Sequence, residues 1–273
     1  MVYLIIATDS RGALLDRFLS DVQPFNNSYE TNLVIIGGAT IKQLSTNIIE
    51  CVDSLLDNRV FYDDIFVLLA AGICNLTSMS EDRAQIVFSD PQNKKQDQLL
   101  EEMEDLYSKL ASRNVTLKVA SIPPVSLAKY EQYKLSKKVD IIDPITISKY
   151  MNQQQKLEHS IMTINDKITK FNSSHGIRTS HLHKDLIKIN KKRHKNKIVT
   201  HTKFDYSNLY DGVHGNQYIC YTWYSALCHS TISDIENGLI GGQNESDSTI
   251  SEDDVIEEGD NDEYKDSWDF KRK

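Results

Sequence analysis

Four short stretches of the chain are apolar almost without a break: residues 2–7 (VYLIIA), 33–36 (LVII), 65–71 (IFVLLAA) and 115–120 (VTLKVA). Continuous apolar runs of this length suit strands covered on both faces, not strands with one wet side. Between them the spacing changes. Ile41, Leu44, Ile48, Val52 and Leu55 recur every three or four residues, and so do Leu99, Met103, Leu106 and Leu110. Leu157, Ile161, Ile164, Ile168 and Phe171 make a third such stripe, which predicts a helix laid on the sheet. A short strand is expected over 178–183 and a last helix over 218–232. Parallel neighbours need crossovers, so strands alternating with helices predict a doubly wound parallel sheet in an α/β, three-layer α/β/α fold. No internal repeat interrupts the pattern.

Composition refines this picture. The 273 residues are 40% hydrophobic, enough to bury about 70–75% of the unfolded surface without disulfides or metals. No apolar run approaches the roughly 18 residues of a membrane span, and residues 2–7 are too short for a signal segment. Cys51, Cys74, Cys220 and Cys228 form no CxxC pair, which points to reduced thiols in a cytoplasmic protein. The formal charge of -8 is concentrated at the end. From Glu245 to Lys273 there are 12 acidic and 4 basic residues, while the rest of the chain is balanced. The expected division is a domain over 1–243 and an acidic, disordered tail over 244–273. A basic stretch from Lys184 to Lys197 (KDLIKINKKRHKNK) reads as an insertion over 184–200. The insertion could be merely solvated, a nuclear import signal or a nucleic-acid contact, but it has no aromatics interleaved to stack bases.

The chemistry sits at the strand ends, where open α/β sheets bind ligands. The first strand runs into Thr8-Asp9-Ser10-Arg11-Gly12 and the second into Gly37-Gly38-Ala39-Thr40. The third runs into Gly72-Ile73-Cys74-Asn75-Leu76-Thr77. Just before the last helix comes Asp211-Gly212-Val213-His214-Gly215-Asn216. A serine, glycine N–H donors, an amide side chain and a DxxH pair on one edge are the parts of a nucleophilic hydrolase.

These blocks, in this order, resemble the SGNH/GDSL hydrolase family, including divergent members from mobile elements and viruses. The resemblance spans about residues 1–235. It implies a flavodoxin-like sheet and a serine esterase with Ser10 as nucleophile, His214 as base and Asp211 as the group that orients the base. The oxyanion hole would use the N–H groups of Ser10 and Gly38. Three departures matter. Thr8 replaces the glycine of the GDS block. In the GxND block strict alignment puts Cys74 in the asparagine place, so Asn75 serves only if the loop shifts by one residue. Arg11 follows the nucleophile and could bind an anionic substrate group or cap the site by a salt bridge. Thr8 and Cys74 support a rival reading, an SGNH-fold binding or assembly module without turnover.

The expected partner is a small ester, with no cofactor, no metal and no membrane. His181 and His183 share one side of the strand expected there, but nothing nearby completes a metal set. No GxGxxG or GxxxxGK[ST] is present to cradle a nucleotide.

Overall fold

The computed structural model describes residues 1–15, 29–58, 62–81, 85–89, 94–137, 145–194 and 197–238. The chain divides into two units, Met1–Gly242 and Gln243–Lys273. The acidic tail therefore lies outside the described residues.

The first unit is built on four parallel strands: β1 (Val2–Thr8), β2 (Tyr29–Ile35), β3 (Asp64–Ala70) and β6 (Val115–Val119). Their order is β2-β1-β3-β6, the order of a doubly wound sheet whose switch point falls between β1 and β3. All four apolar runs are these strands. Side chains alternate across the sheet, so Tyr3, Ile5, Ala7, Val67 and Leu69 enter one core cluster. Leu4, Ile6, Phe66 and Leu68 enter the other. Two buried faces explain why the runs have no polar alternation.

The first face is covered by α1 (Ile41–Asp57), α3 (Lys94–Ala111) and α5 (Ile145–Ser174). All three apolar stripes are realised on them. Thr40 starts α1 with a reciprocal cap, its hydroxyl accepting from the Gln43 N–H while the Gln43 side chain accepts from the Thr40 N–H. The opposite face is covered by α6 (Gln217–Glu236), which starts at the side-chain cap of Asn216 on the Ile219 N–H. Three small pieces complete the unit: the short helix α2 (Ile73–Leu76), the hairpin β4–β5 (Thr77–Met79 with Ile86–Phe88) and α4 (Leu127–Ser136).

One expectation is corrected. Residues 178–183 form no strand. A single backbone-to-backbone bond, from the Ser121 N–H to the Ser180 carbonyl, joins this segment to the sheet edge, and the chain then enters a 3-10 turn over Leu182–Leu186. The segment cannot extend a ladder because His183 is drawn inward, its backbone N–H and Nδ1 both bonded to the Ser121 hydroxyl. The basic stretch expected as an insertion has regular structure. It forms most of an antiparallel ribbon, β7 (Ile187–His194) with β8 (Lys197–Phe204). All four cysteines are unpaired, and no described helix is long and apolar enough to cross a membrane.

Candidate functional site

β1 ends at Thr8, and Asp9 opens a one-turn 3-10 helix over Ser10–Gly12 by accepting from the Arg11 N–H at 3.0 Å. That cap turns Ser10 out at the carboxyl edge of the sheet. Its Oγ lies 3.0 Å from His214 Nε2. His214 Nδ1 lies 2.6 Å from Asp211 Oδ2. Asp211 Oδ1 accepts from the N–H groups of Val213 and His214 at 2.9 and 2.7 Å. Burial opposes a charge on Asp211, but the His214 ring and these two N–H groups outweigh it and hold its carboxyl below the ordinary range. The three residues thus form a continuous relay from a hydroxyl through an imidazole to a buried carboxylate. With Nδ1 protonated, Nε2 is left as acceptor toward Ser10.

The loop that carries the pair is clamped. The Ser126 N–H at the start of α4 donates to the Gly212 carbonyl at 2.7 Å. Gly212 has a φ of +88°, and a Cβ there would come 2.6 Å from the Ser126 carbonyl oxygen, so only glycine lets the two segments meet.

The second block passes beside the serine. A Cβ built on Gly37 would stand 3.8 Å from Ser10 Cβ. Gly38 adopts a φ of +73° in open space, so its backbone and not crowding calls for glycine. Among the described residues, no hydrogen bond uses the N–H groups of Ser10, Gly37 or Gly38.

Arg11 corrects the substrate-binding expectation. It is buried, and its Nε and Nη2 donate to the two Asp9 oxygens at 3.0 and 2.9 Å. Its Nη1 donates to the Pro123 carbonyl at 3.1 Å. Of the two arrangements open to it, the guanidinium takes the internal ion pair and ties the nucleophile turn to the loop after β6.

Thr8 also has an internal use. Its hydroxyl donates to the Ala70 carbonyl at 3.0 Å and lies 3.0 Å from the Tyr224 hydroxyl. Its methyl fills the space beside Gly12, where a Cβ would approach Thr8 Cγ2 to 2.0 Å.

The third block is engaged elsewhere. Asn75 Oδ1 accepts from the Ile41 N–H at 3.1 Å, and Nδ2 donates to Glu102 Oε2 at 2.7 Å. Glu102 Oε2 also accepts from the Lys42 N–H at 3.1 Å. Asn75 is therefore spent on joining the start of α1 to α3, with one amide hydrogen left. Cys74 is half-buried; burial and then Asp9 push its thiol up to about 11, against a smaller opposing pull from Arg11. It is a neutral thiol and no nucleophile.

His183 pairs with Ser121, Nδ1 to Oγ 2.7 Å, and its ring lies 5.8 Å from that of His181, edge to face. Among the described residues no group of three metal-ligating side chains occurs. The sequence reading also missed a buried cluster. Lys118 Nζ lies 2.9 Å from Asp234 Oδ2, and Arg178 joins the same carboxylate. A lysine inside the apolar run VTLKV was the available signal, since a charge in a doubly covered strand needs a partner.

No family model matches the sequence, and no curated protein does. Among solved structures, the chain is similar to a Bacteroides fragilis NCTC 9343 protein named for a suspected acylhydrolase activity. The TM-score is 0.49 and the identity 14%, over 87% of this chain and 88% of that one. It is similar to a lipolytic G-D-S-L family member from Veillonella parvula DSM 2008, with TM-score 0.49 and identity 9%, over 85% and 97%. The OSK domain of Drosophila Oskar gives 0.40 and 8%, over 85% and 87%.

Proposed function

We propose that the protein is a serine esterase, an acyl hydrolase acting on a small ester. The observation that carries this reading is the relay of Ser10 Oγ, His214 and Asp211, with contacts of 3.0 and 2.6 Å. In this reading Ser10 Oγ attacks the ester carbonyl and passes its proton to His214 Nε2. Asp211 keeps the other ring nitrogen protonated and stabilises the imidazolium. The N–H groups of Ser10 and Gly38 hold the oxyanion. His214 returns the proton to the departing alkoxide, a covalent acyl-Ser10 forms, and water drawn on by the same histidine releases the acid.

A second reading, an SGNH-like binding or assembly module without turnover, is favoured by one observation: the Asn75 amide is committed to Ile41 and Glu102. Incubation with a fluorophosphonate separates the two, because it reacts with an activated serine. The esterase reading expects stoichiometric labelling that maps to Ser10 and disappears in Ser10→Ala with the thermal midpoint kept. A folded protein that stays unlabelled at pH 8 supports the module.

A further inference from the structure

The residues around His214 carry information about the kind of ester. Tyr210 immediately precedes the Asp211–His214 loop, and its N–H donates to the His214 carbonyl at 2.9 Å. The bond folds the phenol ring back along the imidazole, with centroids 5.8 Å apart and planes inclined by 22°. Tyr210 still leaves 49% of its surface in solvent. Tyr133 of α4 packs on the same ring in a T-shaped arrangement, 5.9 Å between centroids with planes at 74°. Lys137 Nζ stands 4.4 Å from the Tyr133 ring centroid. The clamp between Ser126 and Gly212 fixes α4 against this loop, so both rings are set by backbone contacts.

An exposed aromatic ledge therefore adjoins the imidazole of the relay. Its chemistry is selective. The aliphatic neighbours in the same stretch, Val213 and Ile219, are buried. The exposed large apolar groups there are tyrosines: Tyr210, then Tyr218 and Tyr221 at the start of α6. A long acyl chain needs an aliphatic trough, whereas phenol rings offer flat faces to another ring and a hydroxyl donor at the rim. Burial, then Asp211, Tyr133 and Cys220, push the Tyr210 hydroxyl up, so it remains a protonated donor.

We propose that Tyr210, braced by Tyr133, is the stacking platform for the ring of a ring-bearing ester, a sugar or aryl group that carries the acyl unit. This rests on the hydrolase reading and specifies its substrate class. Tyr210 acts by positioning the substrate, while the bond broken and the proton moved are those assigned to Ser10 and His214.

The test compares α-naphthyl acetate, an acetylated methyl xyloside and ethyl acetate on the full chain and on Tyr210→Leu and Tyr210→Phe. Loss of one stacked ring should lower kcat/KM in Tyr210→Leu about tenfold on a ring-bearing ester relative to ethyl acetate, mostly through KM. Tyr210→Phe should keep the wild-type ratio. A selective loss on the naphthyl ester alone assigns an aryl ring, and on the xyloside alone a sugar. An equal loss on all three esters, or no loss, overturns the platform and leaves Tyr210 as a support for His214. If the wild type neither labels with fluorophosphonate nor turns over any ester, the hydrolase reading fails by itself. The platform is then read by saturation-transfer NMR with methyl xyloside and naphthol. Ring contact that Tyr210→Leu removes sustains it, and absence of contact with the wild type overturns it.

Discussion

Asp211 keeps its charge in a buried place because three donors converge on it, the His214 ring and two backbone N–H groups. Asp211→Asn would leave the geometry nearly intact but favour the wrong imidazole tautomer. Turnover of an acetyl ester should fall by about 10⁴-fold, checked by steady-state kinetics beside an unchanged circular dichroism spectrum. The same residue has a stability signature. Its folded pKa is lowered, so its contribution is complete above the unfolded value of about 3.9 and disappears as pH falls through the lower, folded value. Acid unfolding of Asp211→Asn should lack that component. His183 acts in the same direction over a higher window. Burial first, then His181 and Lys184, bring its pKa down to about 4. The folded protein thus binds fewer protons than the unfolded chain, and stability is lost between about pH 6.5 and pH 4, by roughly 3 kcal/mol in all. His183→Gln should flatten chemical denaturation midpoints across that interval and leave them unsloped above it.

The join between α1 and α3 passes through one amide. Asn75→Ala would orphan the Ile41 N–H and weaken the hold on Glu102, costing about 1–3 kcal/mol. If the remaining amide hydrogen also serves the oxyanion, the same substitution lowers turnover by about 10²–10³-fold. Denaturant unfolding and ester kinetics on one preparation separate the structural from the catalytic use. The ribbon β7–β8 poses a different question, since from Ile187 to Phe204 it holds seven lysines and arginines and no acid. Should it contact nucleic-acid phosphates, log Kobs would fall linearly with log salt, and replacing Lys191, Lys192 and Arg193 with Ser would weaken binding to every duplex alike. Binding that ignores salt would remove that use. Some elements were legible in the sequence and others were not, for physical reasons. The strands and stripes announced themselves because burial on two faces, or on one helical stripe, leaves few substitutions open. The ribbon did not, because a two-stranded element so rich in lysine has little apolar alternation to read. The turn at 178–186 was misread because His183 is fixed by Ser121, a contact 62 positions away.

Across the whole first unit, the β1–β3 switch point gathers the first three blocks at one sheet edge, and the clamp on α4 brings the fourth to meet them. That convergence brings Ser10, Asp211 and His214, three residues that motif order singles out, within hydrogen-bonding reach of one another. The role of Arg11 could not be read from motif order, since it depends on the Pro123 carbonyl across the fold. The opposite sheet face carries a hidden liability. Lys118 and Asp234 are both fully buried, and removing Asp234 leaves the Lys118 ammonium without its counter-charge. Asp234→Ala should cost about 3–5 kcal/mol by denaturant unfolding, far more than loss of a surface ion pair such as Lys109 with Asp105.

The contact between Thr8 and Gly12 has an evolutionary consequence. The threonine methyl occupies the volume a Cβ at position 12 would need, so the two positions share one small space and cannot both enlarge. With glycine at position 8 a Cβ at position 12 would still meet the Tyr224 hydroxyl at 3.0 Å, whereas threonine at position 8 holds position 12 to glycine outright. Among descendants of this chain the threonine must be given up before position 12 can diversify. The order of those two changes should be recoverable from reconstructed ancestors, each step tested by whether the resurrected protein folds.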